Sequence, residues 1–336
     1  MTLGPGSMRI DDVKPPMLGP DQARVSVSIV GLCGSDYHLF SGKHPYARFP
    51  QTQGHEFAGT VRELSANYDG PVKVGDVVAV EPLVPCDVCF ACRRGRYNAC
   101  VDLKVMGAHI PGALADEVVV RTAALYPVGD LDVELAAMVE PVSVGLQAVV
   151  RGGVADGSTV VIMGAGPIGL AATLAASARG ARVLVADCVP DRLHSALVMG
   201  AESIVDTSTA DLSEIVREFT DGDGAAVVID ATGVPSLIRN AVDFVAHSGT
   251  IVIVGISNAE VSIPVIDFSR KELSILGSRN NTGLFPEAIA LVRTHQEQLH
   301  TWITQRITLE QVPEMIEFAI GHPESVGKML VHMKGN

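Results

Sequence analysis

The segment VVIMGAGPIGLAA sets the strongest limit on the fold of this 336-residue chain. It places Gly164, Gly166 and Gly169 in G-x-G-x-x-G spacing, directly after an apolar run and before an alanine-rich stretch. In that context the first glycine makes the turn, the second lets the backbone approach a pyrophosphate, and the third packs the helix on the strand. The segment therefore predicts a dinucleotide-binding turn at a helix N-terminus.

Apolar runs and helical stretches alternate around this turn. The runs STVVIM, ARVLVAD, SIVD, AAVVIDAT, TIVIVG and ELSILGS are separated by amphipathic or alanine-rich stretches. Strands that alternate with helices form a parallel sheet with helices on both faces. We therefore predict a doubly wound α/β domain of the Rossmann type that begins near residue 142.

Asp187 ends the strand after the glycine turn, 18 residues beyond Gly169. A carboxylate at that point accepts hydrogen bonds from ribose hydroxyls and repels a 2′-phosphate, which predicts NAD rather than NADP. Arg192 lies five residues further and slightly weakens this prediction, since an arginine there can accept a phosphate.

Residues 20–140 have a different pattern. Short Val-rich runs such as ARVSVSIVGLCG and GDVVAVEPLV are interrupted by Gly, Pro and Asp. Short strands with turn residues between them are typical of a compact β domain. The first part of the chain is therefore predicted to be a barrel-like β domain.

Four cysteines lie close together in this part, in the segment VPCDVCFACRRGRYNACVDL. They are Cys86, Cys89, Cys92 and Cys100, with Cys-x2-Cys-x2-Cys-x7-Cys spacing. Taken alone, the segment is compatible with a disulfide knot, a zinc ribbon that binds nucleic acid, or a metal clip. A full set of four thiolates around zinc leaves no open position, so a metal clip here would be structural.

Charge and hydropathy restrict these alternatives. The net charge of −13 and the pI near 5.2 argue against partners such as nucleic acid or an anionic membrane. No run of about 18 apolar residues is present, and the first residues lack a basic region followed by an apolar one. We therefore expect a cytoplasmic protein with no membrane partner, in which clustered cysteines bind metal.

A second group of metal-ligating residues precedes the glycine turn. Cys33 lies in GLCGSDYH, His55 and Glu56 in QGHEF, and Glu140 in MVEPVSVG. A thiolate, an imidazole and one or two carboxylates can hold Zn²⁺ and leave a position for substrate, which is the pattern of a catalytic site.

In chain order, the motifs GLCGSD, GHEFAG, VGDVVAVEP, the four-cysteine segment, EPVSVG and GAGPIG resemble those of the zinc-dependent medium-chain alcohol dehydrogenases. The resemblance covers essentially the whole chain. It implies a GroES-like β-barrel catalytic domain over residues 1–141, with a structural zinc lobe at 84–103. A Rossmann NAD-binding domain over 142–277 and a return to the catalytic domain over 278–336 complete the implied α/β fold.

The resemblance also implies roles for single residues. Cys33, His55 and Glu140 match the ligands of a catalytic zinc, and Glu56 matches a glutamate that ligates zinc or exchanges with water. Asp36 would hold the other nitrogen of His55. Ser35 and His38 would form a proton relay. With the structural site on Cys86, Cys89, Cys92 and Cys100, the chain is expected to bind two zinc ions.

The residues expected to bind NAD fall in four segments. The set comprises Gly164, Gly166, Pro167, Ile168 and Gly169 in the turn, Asp187 and Arg192 after the next strand, Thr232, Gly233 and Gly255 after later strands, and Ser278 and Arg279 after the last.

Glu140 directs the substrate prediction, because simple alcohol dehydrogenases carry cysteine there whereas the sorbitol and threonine dehydrogenase branches carry glutamate. The sequence resembles the polyol and sugar-acid branch, which includes dehydrogenases of L-galactonate, L-gulonate and L-idonate. Arg279 and Asn280 are the predicted substrate contacts, with Asn281 as a further candidate. Alternatives are a butanediol, simple secondary alcohol or threonine dehydrogenase, and a non-catalytic zinc-binding relative. A homodimer or homotetramer is expected from the relatives.

Overall fold

The computed structural model describes residues 1–44 and 47–333 and divides the chain into two compact units. One unit comprises Met1–Glu140 and Phe285–Asn336, and the other comprises Pro141–Leu284. The sequence predicts domain boundaries after residues 141 and 277. The structure divides the chain after residues 140 and 284, which differ from the prediction by one and by seven residues. Each unit has its own sheet and its own core.

The strands in chain order are β1 Thr2–Gly4, β2 Ser7–Met8, β3 Gln22–Leu32, β4 Glu56–Leu64, β5 Val77–Val80, β6 Leu83–Val84, β7 Lys104–Val105, β8 Glu117–Arg121, β9 Leu125–Pro127, β10 Thr159–Met163, β11 Arg182–Asp187, β12 Ser203–Asp206, β13 Ala225–Asp230, β14 Val245–Ile253, β15 Ser274–Gly277, β16 Ile303–Thr308 and β17 Lys328–His332.

The α-helices are α1 Gly34–Phe40, α2 Phe90–Arg93, α3 Val133–Ala137, α4 Val139–Gly152, α5 Pro167–Ser177, α6 Pro190–Val198, α7 Leu212–Phe219, α8 Pro235–Phe244, α9 Val265–Lys271, α10 Phe285–Thr294, α11 Gln296–Trp302 and α12 Val312–Gly321. Short 3₁₀ turns occur at Tyr97–Ala99, Thr122–Ala124 and Leu309–Gln311.

The first unit is organised by a seven-stranded sheet with the order β16-β17-β3-β4-β5-β9, in which β8 also pairs with β3. Neighbouring strands are antiparallel except for β16 and β17. The inward side chains of β3, β4 and β5 pack with α12 and β17 in one apolar cluster, which includes Val25, Phe57, Val78, Ile316 and Met329. Residues from the C-terminal segment therefore complete the core of the first unit.

The second unit is a six-stranded parallel sheet with the order β12-β11-β10-β13-β14-β15. Its central strand β10 is the apolar run before the glycine turn, and Val160, Val161 and Ile162 are fully buried. The strand order reverses between β10 and β13, and ligands of such sheets bind outside the carboxyl ends of the strands at the reversal. The predicted doubly wound sheet is confirmed.

Among the described residues, no helix combines the length and the apolar character needed to cross a membrane.

Candidate functional site

The first site forms where β3 ends and β4 begins. Cys33 directly follows β3, His55 directly precedes β4, and Glu56 is the first residue of β4. The register of the two strands sets Gly31 opposite Glu56, so the two segments reach the same end of the sheet. One donor atom from each of Cys33, His55 and Glu56 lies within 4.8 Å of the other two. The structure therefore brings together three of the four residues predicted for the catalytic metal.

Glu140 is buried close to this group. Among the described residues it does not join the set whose donor atoms all lie within 4.8 Å of one another. Burial raises the pKa of Glu140 to about 7, and Glu56 and Glu81 also raise it, while the charges of His55 and Lys328 lower it. Its carboxyl group thus shares one buried polar environment with the metal-ligating group, and its role as a ligand stays a prediction.

Asp36 connects Cys33 and His55 through a buried carboxylate. Its Oδ2 accepts a hydrogen bond from the backbone N–H of Cys33 at 3.0 Å and lies 3.8 Å from His55 Nδ1, while Oδ1 accepts from Gly54 N–H at 3.3 Å. Burial has the largest effect on His55 and lowers its pKa, but the charges of Asp36 and Cys33 outweigh burial and hold that pKa well above its ordinary value. Asp36 lies where the prediction requires a carboxylate that orients His55.

Ser35 and His38, the predicted relay residues, both lie on α1 immediately after Cys33. Ser35 is partly buried and His38 is exposed. The His38 carbonyl accepts backbone hydrogen bonds from Lys43 at 2.8 Å and from His44 at 3.0 Å. The helix thus carries one partly buried hydroxyl and one exposed imidazole, and their role as a relay stays a prediction.

Two residues that support Asp36 were not predicted from the sequence. Gln53 and Thr2 are both fully buried. Gln53 Nε2 donates to the Asp36 carbonyl at 2.7 Å, and the Thr2 hydroxyl donates to Gln53 Oε1 at 2.6 Å. A glutamine two residues before the predicted ligand His55 was the signal that could have indicated a buried amide. Hydrogen bonds through Thr2 and Gln53 therefore link strand β1 to Asp36, which contacts the candidate metal ligands.

Lys328 is a third residue that sequence reasoning missed. It begins β17, its side chain is 1 % exposed, and its ammonium group is in contact with Glu56 Oε2. Burial has the largest effect and lowers the pKa of Lys328, but the charges of Glu56, Cys33 and Glu140 together outweigh it and raise that pKa. A lysine inside the apolar run GKMLVHM was the available signal, because a buried ammonium group requires an anionic partner.

The donors of this first group fit zinc. Zn²⁺ binds a cysteine thiolate, a histidine nitrogen and a carboxylate oxygen, and catalytic zinc sites combine three protein donors with an open position. The mixed set of Cys33, His55 and Glu56 has that composition, and hard calcium or magnesium sites would be built from oxygen donors alone.

The second group contains the four cysteines of the 84–103 segment. Donor atoms of Cys86, Cys89, Cys92 and Cys100 lie within 4.8 Å of one another, and the Cys89 and Cys92 sulfurs are 3.5 Å apart. Backbone N–H groups of Cys92 and Val101 are the main cause that lowers the pKa of Cys89 to about 6. Sulfur atoms held this closely, with backbone N–H groups directed at them, fit a closed tetrahedral zinc site.

The glycine turn of the second unit has the geometry that its spacing predicts. Gly164 has a φ of +96°, which favours glycine. A Cβ on Gly169 would overlap the carbonyl oxygen of Gly164, whereas a Cβ on Gly166 would meet nothing within 4 Å. Gly166 caps α5, and Pro167 and Ile168 begin the helix. The open space at Gly166 beside the helix N-terminus is what a pyrophosphate requires.

Asp187 holds the turn to the next strand. Its Oδ2 accepts from the backbone N–H of Ala165 at 2.7 Å, and its Oδ1 accepts from Val189 N–H at 2.9 Å. Arg192 follows on α6 and is partly buried. The carboxylate is therefore fixed at the carboxyl end of β11, beside the glycine turn.

The ends of β13 and β14 form another close backbone contact. Asp230 is fully buried and accepts hydrogen bonds from the Thr232 hydroxyl at 2.6 Å and from Gly233 N–H at 3.1 Å. A Cβ on Gly255 would overlap the backbone nitrogen of Gly233. Thr232, Gly233 and Gly255, which the sequence predicts to bind cofactor, thus lie together beside the turn that carries Gly164.

Family models match both units. Residues 19–130 match the alcohol dehydrogenase GroES-like domain, and residues 167–294 match the zinc-binding dehydrogenase family. The chain belongs to the zinc-binding alcohol dehydrogenases. The predicted family and the predicted fold class are thereby confirmed, so the two candidate zinc sites and the glycine turn lie in a dehydrogenase.

Named relatives agree with this assignment. The dehydrogenase is 37 % identical to the L-galactonate-5-dehydrogenase of Escherichia coli K12, over 82 % of this chain and 80 % of the relative. It is 33 % identical to the sorbitol dehydrogenase of Bacillus subtilis 168, over 97 % and 94 %. A crystal structure described as a short chain alcohol dehydrogenase from Escherichia coli CFT073, complexed with cofactor NADH, superposes with a TM-score of 0.92 at 28 % identity and covers 98 % of this chain and 97 % of its own.

The residues predicted to contact substrate lie in the segment after β15 and differ in their exposure. Arg279 is exposed, Asn280 is partly buried with a φ of +44°, and Asn281 is fully buried. The backbone N–H of Ser278 donates to Ile253 O at 2.9 Å and so holds the segment to β14. Arg279 and Asn280 are accessible to a ligand, whereas the Asn281 amide lies inside the unit.

Proposed function

We propose that this protein oxidises a secondary hydroxyl of a polyol or sugar acid and transfers the hydride to NAD. The observation that carries the proposal is the convergence of Cys33, His55 and Glu56 within 4.8 Å, with Glu140 buried beside them. A mixed donor set with a second carboxylate suits the polar, multiply hydroxylated substrates named for the relatives in Escherichia coli and Bacillus subtilis.

The side chains of the first unit would hold zinc and handle the proton. Cys33, His55 and Glu56, with Glu140, would hold zinc, which supplies Lewis acidity toward the substrate hydroxyl. The hydroxyl proton would pass to Ser35, which lies two residues after Cys33, and then through His38 to solvent. NAD, when bound, would supply the hydride acceptor, so that the products would be a ketone, NADH and one proton.

Asp187 is proposed to select NAD over NADP. Its carboxylate is fixed at the end of β11 by two backbone N–H groups, so its charge would face the 2′ position of the adenosine ribose. A 2′-phosphate placed there would meet an anion, whereas ribose hydroxyls would meet an acceptor.

Replacing Asp187 by asparagine should lower the preference for NAD over NADP by roughly tenfold, since the repelling charge is lost while an acceptor for the backbone remains. The measurement is kcat/KM with each cofactor. Asp206→Asn is the matched control, because Asp206 ends the adjacent strand β12 in register with Asp187. An unchanged cofactor ratio in Asp187→Asn would contradict the proposed selection.

Arg279 is proposed to bind a substrate carboxylate, since it is the exposed cation of the segment after β15 and a guanidinium can bind a carboxylate with two hydrogen bonds. Asn280, which follows it, would accept or donate to substrate hydroxyls. This assignment favours sugar acids such as L-galactonate over neutral polyols.

A substrate panel tests the function. The zinc-loaded protein and NAD are assayed with L-galactonate, L-gulonate, L-idonate, sorbitol, butanediol and threonine, and NADH formation is measured. We expect the highest kcat/KM with a sugar acid. In Arg279→Gln we expect a loss of about tenfold or more for that substrate, and a smaller loss for sorbitol, which has no carboxylate to pair with the guanidinium. Turnover confined to butanediol or simple secondary alcohols would overturn the sugar-acid assignment, and turnover of none would overturn the function.

A further inference from the structure

The C-terminal segment places a buried cation against a predicted metal ligand. Lys328 and Glu56 are each 1 % exposed, and the Lys328 ammonium group is in contact with Glu56 Oε2. β17 pairs with β3 so that Met329 lies opposite Leu32 and Leu330 opposite Gly31. This register carries Lys328 to the end of β3, where Cys33 follows.

The backbone leaves room for this ion pair. A Cβ on Gly31 would overlap Glu56 Oε2 and would lie 3.2 Å from Lys328 Cε. Gly31 is buried within β3, where any residue with a side chain would displace the Glu56 carboxylate. The Glu56 carboxylate thus occupies space that is free only because residue 31 is glycine. Its contact with the Lys328 ammonium group holds it there.

The charges of the site explain why a lysine is present. As metal ligands, a Cys33 thiolate and the Glu56 and Glu140 carboxylates bring three negative charges, and a zinc ion brings two positive ones. Lys328 supplies a third positive charge in the same buried environment. A buried charge without a partner is strongly destabilising, so the lysine compensates the excess anion.

The same lysine competes with the metal for Glu56. An oxygen that is in contact with an ammonium group is a weaker donor than a free carboxylate, because its electron density is already shared with a cation. Among the described residues, no lysine or arginine pairs with Cys33 or His55, whose side chains form a hydrogen bond with each other. Glu56 is therefore the donor whose strength depends on another side chain.

We propose that Lys328 is a positioning residue that lowers the donor strength of Glu56 toward zinc, so that Glu56 is the weakest of the three converging ligands. The proposal rests on the proposed function only in that the first group of donors holds zinc. Removal of the lysine charge would strengthen metal binding at this site even though it removes a residue that stabilises the metal-free fold.

The test uses Lys328→Met and Lys328→Gln as neutral variants and Lys328→Arg as the conservative one. Zinc affinity is measured on the full-length chain by competition against a chelator, and the Co²⁺-substituted protein is followed by its visible absorption. We expect the neutral variants to hold zinc at the first site about tenfold or more tightly, since one buried unit charge near another changes binding by at least that factor. The visible Co²⁺ bands should change in the neutral variants and be retained in Lys328→Arg.

The four-cysteine zinc is an internal control and should keep its affinity in every variant. A purely structural role predicts the opposite outcome, because a damaged fold loses metal affinity as it loses stability. Equal or weaker zinc binding in the neutral variants would therefore overturn the proposal. If Lys328→Met does not fold, the zinc affinity of Lys328→Gln tests the proposal, because glutamine can still donate a hydrogen bond to Glu56.

A double-mutant cycle locates the effect. In a Glu56→Gln background, the gain caused by Lys328→Gln should largely disappear, because the two residues act through one interaction. A gain of full size in that background would show that Lys328 acts on the metal directly, which overturns the assignment to Glu56. NAD reduction is not read in these experiments, so their failure is distinguishable from failure of the proposed oxidation.

Discussion

Cys33→Ser should reduce NAD-dependent oxidation by about a thousandfold or more and should lower the zinc content from two ions per chain to one. Cys33 supplies the thiolate among the three converging donors, and serine replaces it with a hydroxyl that zinc binds far less well. The four-cysteine group lies elsewhere in the first unit and should keep its zinc. Metal analysis and initial rates of NADH formation measure the two effects together.

The matched control for this variant is Cys188→Ser. Cys188 is exposed and belongs to neither predicted zinc site, so its replacement should leave the zinc content and the rate unchanged. If Cys33→Ser keeps both zinc ions and wild-type turnover, the assignment of the catalytic site is wrong. A loss of zinc without a loss of turnover would separate the metal from the proposed chemistry.

Cys92→Ser should destabilise the protein, with a fall in the thermal midpoint on the order of 10 °C and the loss of one zinc ion. The four thiols are the centre of a small cluster with Leu83 and Leu103, which has few apolar side chains of its own. Without the metal, little remains to hold this lobe together. Calorimetry and metal analysis on the purified variant measure both effects.

Turnover per folded molecule should survive in Cys92→Ser at low temperature, because the converging donors near Cys33 are untouched. Val101→Ser is the control, since Val101 lies in the same lobe next to Cys100 and is 85 % exposed. An unchanged midpoint in Cys92→Ser would mean that the lobe is stable without its metal. A complete loss of turnover in folded protein would assign the lobe a part in the reaction.

Local patterns in the sequence predicted much of this molecule. The glycine turn depends on residues within a dozen positions of one another, and the four-cysteine group depends on spacing within one short segment. In both segments, residues close together in the sequence restrict one another directly. Gly169, for example, must be glycine because a Cβ there would overlap the Gly164 carbonyl oxygen. Features of this kind can be inferred before any tertiary structure is known.

Pairing between distant segments could not be inferred in the same way. Lys328 lies nearly 300 residues after Cys33 and reaches it through the pairing of β17 with β3, and Thr2 reaches Gln53 through the N-terminal strand. Apolar periodicity indicates that a strand is buried but does not identify its neighbour. The burial of Asn281, a further candidate for substrate contact, could not be inferred either, since a run of polar residues does not reveal which of them points inward.

The position of β17 has a consequence for synthesis on the ribosome. This strand lies between β16 and β3, yet it is made after the whole of the second unit, which is a continuous segment from Pro141 to Leu284. At roughly 5 to 20 residues per second, translation leaves an interval on the order of ten to forty seconds between Glu140 and β17. The second unit can fold in that interval, while the edge of β3 that pairs with β17 remains unpaired. An unpaired strand edge can pair with other chains, so the first part of this chain is expected to be prone to aggregation until β17 has been made.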